Sequence, residues 1–201
     1  MKRLFIATKV TLDESYTRLV AQLQQELRHD DVVWVQPAIR HITLRFIGAT
    51  PPDRVEGIRE ALRQVCAESA PFSLELNKMG AFGSRYKPEV LWLGFEEFQP
   101  FRLLFDRLEQ RLLALGVEAN YGNFVPHITL GRVKGVVDKS RFWKRVDALT
   151  PTFAQSVPVH ELTLYQSFLH KDGPEYKALE TVRLGDSYHP GLRPLLLKGG
   201  E

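Results

Sequence analysis

The sequence predicts an α+β fold of two lobes, an internal duplication with a pseudo-twofold axis and a central cleft between two mainly antiparallel sheets. Three observations predict it. The word HITL occurs twice, at 41–44 and 127–130, which is 127 − 41 = 86 residues apart in a chain with six histidines. Chance would produce about 0.004 such coincidences, so self-similarity is the better reading. Around each copy the hydrophobic pattern runs strand, helix, HITL strand, helix, strand. At 201 residues, 44% hydrophobic and 25% charged, the chain has the length of one domain or of two small lobes sharing a core, and the composition of a globular protein.

In chain order, residues 3–10 read as a short buried strand rich in apolar and β-forming residues. Thr11 then opens a helix, with Glu14 placed for a capping box and Tyr16, Leu19, Val20, Leu23 and Leu27 at helical spacing. The first HITL strand follows. After Gly48, Thr50 caps a second helix that begins with Pro51 and Pro52 and carries Val55, Ile58, Leu62 and Val65 inward. Residues 72–79 alternate as a strand. The pattern restarts with a strand at 89–95 and a helix bearing Phe101, Leu104, Phe105, Leu108 and Leu112, closed by Gly116. Beyond the second HITL come a helix at 138–149, a strand at 159–169 and a last strand near 176–184. One two-lobed domain is therefore expected over 1–184, with repeats at about 3–88 and 89–174 plus the final strand, and residues 185–201 as a tail.

Composition narrows the function. No apolar run approaches the roughly 20 residues a bilayer requires, and the start MKRLFIATKV has too few apolar residues before Lys9 for a secretory signal, so a cytoplasmic protein is expected. A net charge of +3 does not argue for nucleic-acid binding by itself, yet it suits an anionic or phosphate-bearing substrate. The single Cys66 has no internal disulfide partner and lies among Ile58, Leu62 and Val65 at helical spacing, as a buried structural thiol would.

The repeated word carries the chemistry. Alternate strand residues share a face, so His41, Thr43 and Arg45 point one way while Ile42, Leu44 and Phe46 pack under the helices. By the same alternation His127, Thr129 and Gly131 share the cleft face, with Gly131 leaving room for a ligand. Each lobe thus offers one imidazole and one hydroxyl. A facing pair of imidazoles, each near pKa 6.5, can take one proton and give another, and threonine hydroxyls can donate to anionic oxygens. That set suits in-line phosphoryl chemistry without a covalent intermediate. A lone HxT on a strand reads more simply as a half-buried histidine beside a hydrogen-bonded neighbour. Two copies inside a longer repeat favour function. His160 and Thr163, three apart, fall on opposite strand faces and read as structural, and His29, His170 and His189 have no site-like neighbourhood. No metal or other cofactor is expected, because neither HITL has a carboxylate or thiol within two residues.

The paired motifs RHITLRFIG and FVPHITLGRV, together with RLFIAT, VLWLGF and LTLYQS, resemble the 2H phosphoesterase superfamily, and within it the LigT-like RNA 2',3'-cyclic phosphodiesterases, also described as 2'-5' RNA ligases. The likeness spans the chain to about residue 184. It implies metal-independent opening of a 2',3'-cyclic phosphate to a 2'-phosphate, with His41 as general acid, His127 as general base, and Thr43 and Thr129 on the phosphate oxygens. It also points to Arg132, although strict alternation places that residue opposite the histidines unless a bulge intervenes. Members often carry a basic or polar residue before the proline of the second motif, where this chain has Val125. Further candidate contacts are Arg45, by strand face, and Tyr121 and Phe124, which could stack on a base, although a place in the core suits Phe124 at least as well. The implied partners are RNA or nucleotides with 2',3'-cyclic phosphate ends, tRNA fragments among the candidates, and a monomer is expected. Ligation, cleavage of another phosphodiester and non-catalytic binding of RNA ends are the competing readings.

Overall fold

One antiparallel sheet organises the chain. The computed structural model describes residues 1–120, 122–170 and 173–186. Its strands are β1 (Lys2–Lys9), β2 (Asp31–Trp34), β3 (His41–Thr50), β4 (Phe72–Gly83), β5 (Pro88–Phe95), β6 (His127–Gly135), β7 (Gln155–Val159), β8 (Glu161–His170) and β9 (Gly173–Arg183). The helices are α1 (Glu14–Glu26), α2 (Val55–Ala67), α3 (Gln99–Ala114) and α4 (Lys139–Ala148). The strand order is β7-β4-β5-β6-β3-β1-β8-β9, with β2 paired to β6 beside that path. The expectation of two sheets is therefore corrected to a single nine-stranded sheet. It is continuous because β3 and β6 bridge at Ile42 and Ile128. Each flank includes a strand from the other half of the sequence: β4 lies against β5, and β8 lies against β1.

All four helices cover one face. Their apolar stripes, among them Tyr16, Leu23, Ile58, Leu62, Phe101, Leu108 and Phe142, pack with Ile42, Leu44, Ile128 and Leu130 into one core. The opposite face carries aromatic residues and the histidines. An antiparallel sheet covered on one side keeps its other side open to solvent and ligands. Cys66 is fully buried, and burial pushes its thiol up to about 12, so it is inert at neutral pH. Among the described residues, no helix is long and apolar enough to cross a membrane.

Several element boundaries differ from the sequence reading. α1 is capped by Asp13, whose side chain accepts from the Tyr16 N–H, and not by Thr11. Gln155 holds residues 11–13 extended by accepting from the Asp13 N–H and donating to the Thr11 carbonyl. Thr50 does not cap the second helix: β3 runs on to it, its hydroxyl donates to the Gly48 carbonyl, and a 3₁₀ turn at Pro52–Arg54 leads into α2. The strand expected at 159–169 divides at His160, with β7 pairing to β4 and β8 to β1. β2 has no counterpart in the sequence reading. His160 is exposed while Thr163 is buried and bonded to Thr181, in keeping with a structural role for Thr163.

Candidate active site

The site is built where the two HITL strands meet. Register sums are constant in an antiparallel pair, so the Ile42–Ile128 bridge, 42 + 128 = 170, sets His41 opposite Thr129 and Thr43 opposite His127. Each histidine faces the threonine of the other motif. The two histidines then lie on a diagonal, about 7–8 Å apart in a regular ladder, which leaves room for a phosphoryl group between them. All four line one cavity of about 470 Å³.

Both imidazoles are held the same way. Nδ1 of His41 donates to the Ile39 carbonyl and Nδ1 of His127 to the Val125 carbonyl, each at 2.8 Å. A carbonyl can only accept, so each Nδ1 carries hydrogen and each Nε2 is the atom that exchanges protons. Val125 therefore supports His127 through its backbone, whatever its side chain. The rings are fixed from the side as well: Phe5 and Tyr176 lie 5.2 and 5.3 Å from the His41 centroid, and Phe82 meets His127 edge-on at 4.7 Å. Burial lowers the pKa of both histidines from 6.5. The carbonyl bonds oppose that effect, while the His127 charge adds to it at His41 and the Arg132 charge adds to it at His127.

Matched β-bulges correct the sequence reading beyond the threonines. On β3, Arg45 pairs with Ile6 but Thr43 with Ala7, so Leu44 is an extra residue. On β6, Gly131 pairs with Leu91 but Thr129 with Trp92, so Leu130 is extra. Each bulge reverses the alternation that follows it. Arg45, expected in the cleft, is instead buried on the helix side, where it bonds the Glu109 carboxylate and the Phe46 and Glu118 carbonyls. Phe46, expected in the core, is 57% exposed and lines the cavity. Gly131 gives room to packing and not to a ligand: a Cβ there would lie 2.7 Å from Val32 and 3.2 Å from the Trp34 ring. Arg132 enters the cavity. The bulge that its role needed is present.

Phe124 does not reach the cleft. It stacks on Phe101 and Phe105, at 5.9 and 4.3 Å, within the apolar layer of α3. Tyr121 lies outside the described residues. Residues missed from sequence also line the cavity, notably Val33 and Trp34 of β2, Arg40 and Tyr176. Nothing in the sequence linked the short stretch DVVW, or a tyrosine 135 residues after His41, to that site. The described lining contains no aspartate or glutamate, and among the described residues no three His, Cys, Asp or Glu side chains gather as a metal site would need.

A helix-backed antiparallel sheet with twin HxT strands at its centre defines the class, and the chain belongs to the 2'-5' RNA ligase superfamily, whose family model matches residues 12–168. A curated relative is the RNA 2',3'-cyclic phosphodiesterase of Methanothermobacter thermautotrophicus, 30% identical over 184 residues that make up 90% of this chain and 98% of that protein. Among solved structures, TT0787 of Thermus thermophilus superposes with a TM-score of 0.73 at 26% identity, covering 93% of this chain and 100% of its own. E. coli LigT complexed with 3'-AMP shares the fold, with a TM-score of 0.67 at 20% identity and coverage of 92% and 99%.

Proposed function

We propose that this protein is an RNA 2',3'-cyclic phosphodiesterase that opens the cyclic phosphate to a 2'-phosphomonoester. The observation that carries the reading is the cross-strand quartet of His41, Thr129, Thr43 and His127 in one cavity. Membership of the family, and the activity of the M. thermautotrophicus relative, which aligns over 90% of this chain, support it. The domain is read as one unit built by duplication, since the halves of the strand order correspond: β6 to β3, β5 to β1, β4 to β8 and β7 to β9.

The chemistry follows from where charge must move. Nε2 of His127 accepts a proton as water attacks phosphorus, and Nε2 of His41 donates one to the departing 3' oxygen. Water and leaving oxygen lie on opposite sides of phosphorus, as the diagonal of the two rings allows. The Thr43 and Thr129 hydroxyls and the Arg132 guanidinium stabilise the equatorial oxygens. Arg132 favours the neutral form of His127, which a base requires. His41 loses part of its charge penalty when His127 is neutral, and a bound anion stabilises its cationic form, which an acid requires. Ligation is the same displacement with a 5'-hydroxyl in place of water as the nucleophile. Incubation with adenosine 2',3'-cyclic phosphate should yield adenosine 2'-phosphate. No turnover would leave a non-catalytic binder, and a 3'-phosphate product would reverse the proposed orientation.

A further inference from the structure

Two arginines five residues apart are equally buried, and only one has a counter-ion. Arg45 and Arg40 are each 6% exposed. Arg45 is paired with Glu109, whereas Nε of Arg40 is buried without a hydrogen-bond partner, and no ion pair to Arg40 exists among the described residues. Burial alone acts on its pKa, lowering it, with no carboxylate to offset the effect. A buried guanidinium without an anion is costly, and replacing such a group by an apolar one of similar volume ordinarily stabilises a protein. Arg40 also lines the cavity of the two histidines, whose described lining carries no carboxylate.

Its place, one residue before β3 begins, tells which anion it meets. The scissile phosphate belongs to the quartet of His41, Thr129, Thr43 and His127, all of which line the cavity. Arg40 precedes His41 in the chain, so it stands on the side of His41 away from Thr43, and it lines the cavity together with Trp34, Gln36 and Ile39. A cavity of about 470 Å³ holds more than a cyclic phosphate. The remaining anion of a terminal nucleotide is its 5' phosphate.

We propose that Arg40 binds the 5' phosphate of the nucleotide whose cyclic phosphate lies between the histidines, so that the site selects chain ends and 5'-phosphorylated nucleotides over 5'-hydroxyl nucleosides. The inference rests on the phosphodiesterase reading above. A binding measurement separates the two. Calorimetry with adenosine 2'-phosphate and adenosine 2',5'-bisphosphate should show wild type favouring the bisphosphate about ten- to hundredfold, as a charge-assisted hydrogen bond to phosphate predicts. Arg40→Met should bring that ratio near one, Arg40→Lys should retain part of it, and Arg132→Met should weaken both ligands with the ratio kept. The kcat/KM ratio for adenosine 2',3'-cyclic phosphate with and without a 5' phosphate should fall by the same factor in Arg40→Met. Without ligand, Arg40→Met should melt no lower than wild type. A wild-type ratio near one, an unchanged ratio in Arg40→Met, or a lower melting temperature for that variant would overturn the proposal. Absence of turnover on both cyclic substrates would instead refute the phosphodiesterase reading, and the binding ratio would still decide the role of Arg40.

Discussion

β3 and β6 begin as the same strand and end as different ones. Both place a histidine and a threonine on the cleft face, both brace Nδ1 on the carbonyl two residues earlier, and both bulge at the leucine of HITL. After the bulge they diverge. Four residues beyond the histidine, β3 has Arg45 tied to Glu109 while β6 has Gly131 against Val32 and Trp34; five beyond, β3 offers Phe46 to the cavity and β6 offers Arg132. The shared backbone delivers two equivalent imidazoles, and the unequal side chains after the bulges give them different electrostatic surroundings. Symmetry supplies paired imidazoles, and in the proposed mechanism its local breaking gives the substrate a direction.

The largest test of that contrast is removal of each imidazole. His41→Ala and His127→Ala should each lower turnover by about 10² to 10⁴. With a substrate whose 3' leaving oxygen is sulfur, which needs little protonation, His41→Ala should recover much of its rate and His127→Ala should not. Equal rescue would show that the surroundings do not divide the roles.

Next comes the Arg45 and Arg132 pair. Arg45→Ala strands the Glu109 carboxylate, which is 14% exposed, and should destabilise the protein by about 3–5 kcal/mol in denaturant unfolding. Arg132→Met should leave the unfolding midpoint nearly unchanged while lowering kcat/KM. If Arg45→Ala unfolded like wild type, the placement of that side chain against α3 would be wrong.

Gly131→Ala probes the packing under the second bulge. The new methyl meets Val32 and Trp34, and overpacking of that kind costs about 1–3 kcal/mol. A neutral substitution would mean that β2 shifts freely against β6.

The smallest effect is in pH. On the proposed assignment of base and acid, the productive free protein needs His127 neutral, above its pKa, and His41 charged, below its pKa, and both pKa values are lowered from 6.5. The kcat/KM profile should be bell-shaped with its maximum below pH 6.5, and a bound anionic substrate should move the kcat maximum upward. Arg132→Met removes a cation beside His127, so that pKa rises and the acidic limb moves to higher pH. An optimum above 8 would contradict the buried, lowered imidazoles.

The repeat made the His/Thr quartet legible, because it depends only on identity and on the first three positions of a regular strand. The helical faces were legible for the same reason: Leu19, Leu23, Ile58 and Leu108 recur at the helical period and are buried. Arg45, Phe46 and Gly131 were misplaced because a period of two says nothing of an inserted residue, and a bulge inverts the positions that directly follow it. Phe124 was ambiguous in sequence, since an aromatic ring serves a core or a base equally well. The single sheet was hidden because one bridge, Ile42 to Ile128, joins what the repeat presents as two halves. The orphaned guanidinium of Arg40 is a property of its neighbours, and no one-dimensional pattern reports it.

The exchange of β4 and β8 between flanks has a consequence for how this chain can be assembled and cut. β1 finds its partner β8 only after roughly 150 further residues have been made, as in the pairing of Phe5 with Tyr165, so the sheet closes through contacts of long sequence separation and folding should be slow for its size. A chain severed between residues 88 and 89 would leave β4 without β5 and β8 without β1, each fragment presenting unpaired strand edges that invite aggregation. The repeat unit visible in the sequence is therefore not a unit of folding: the two pieces should regain a native sheet only when mixed, as complementing fragments of one enzyme.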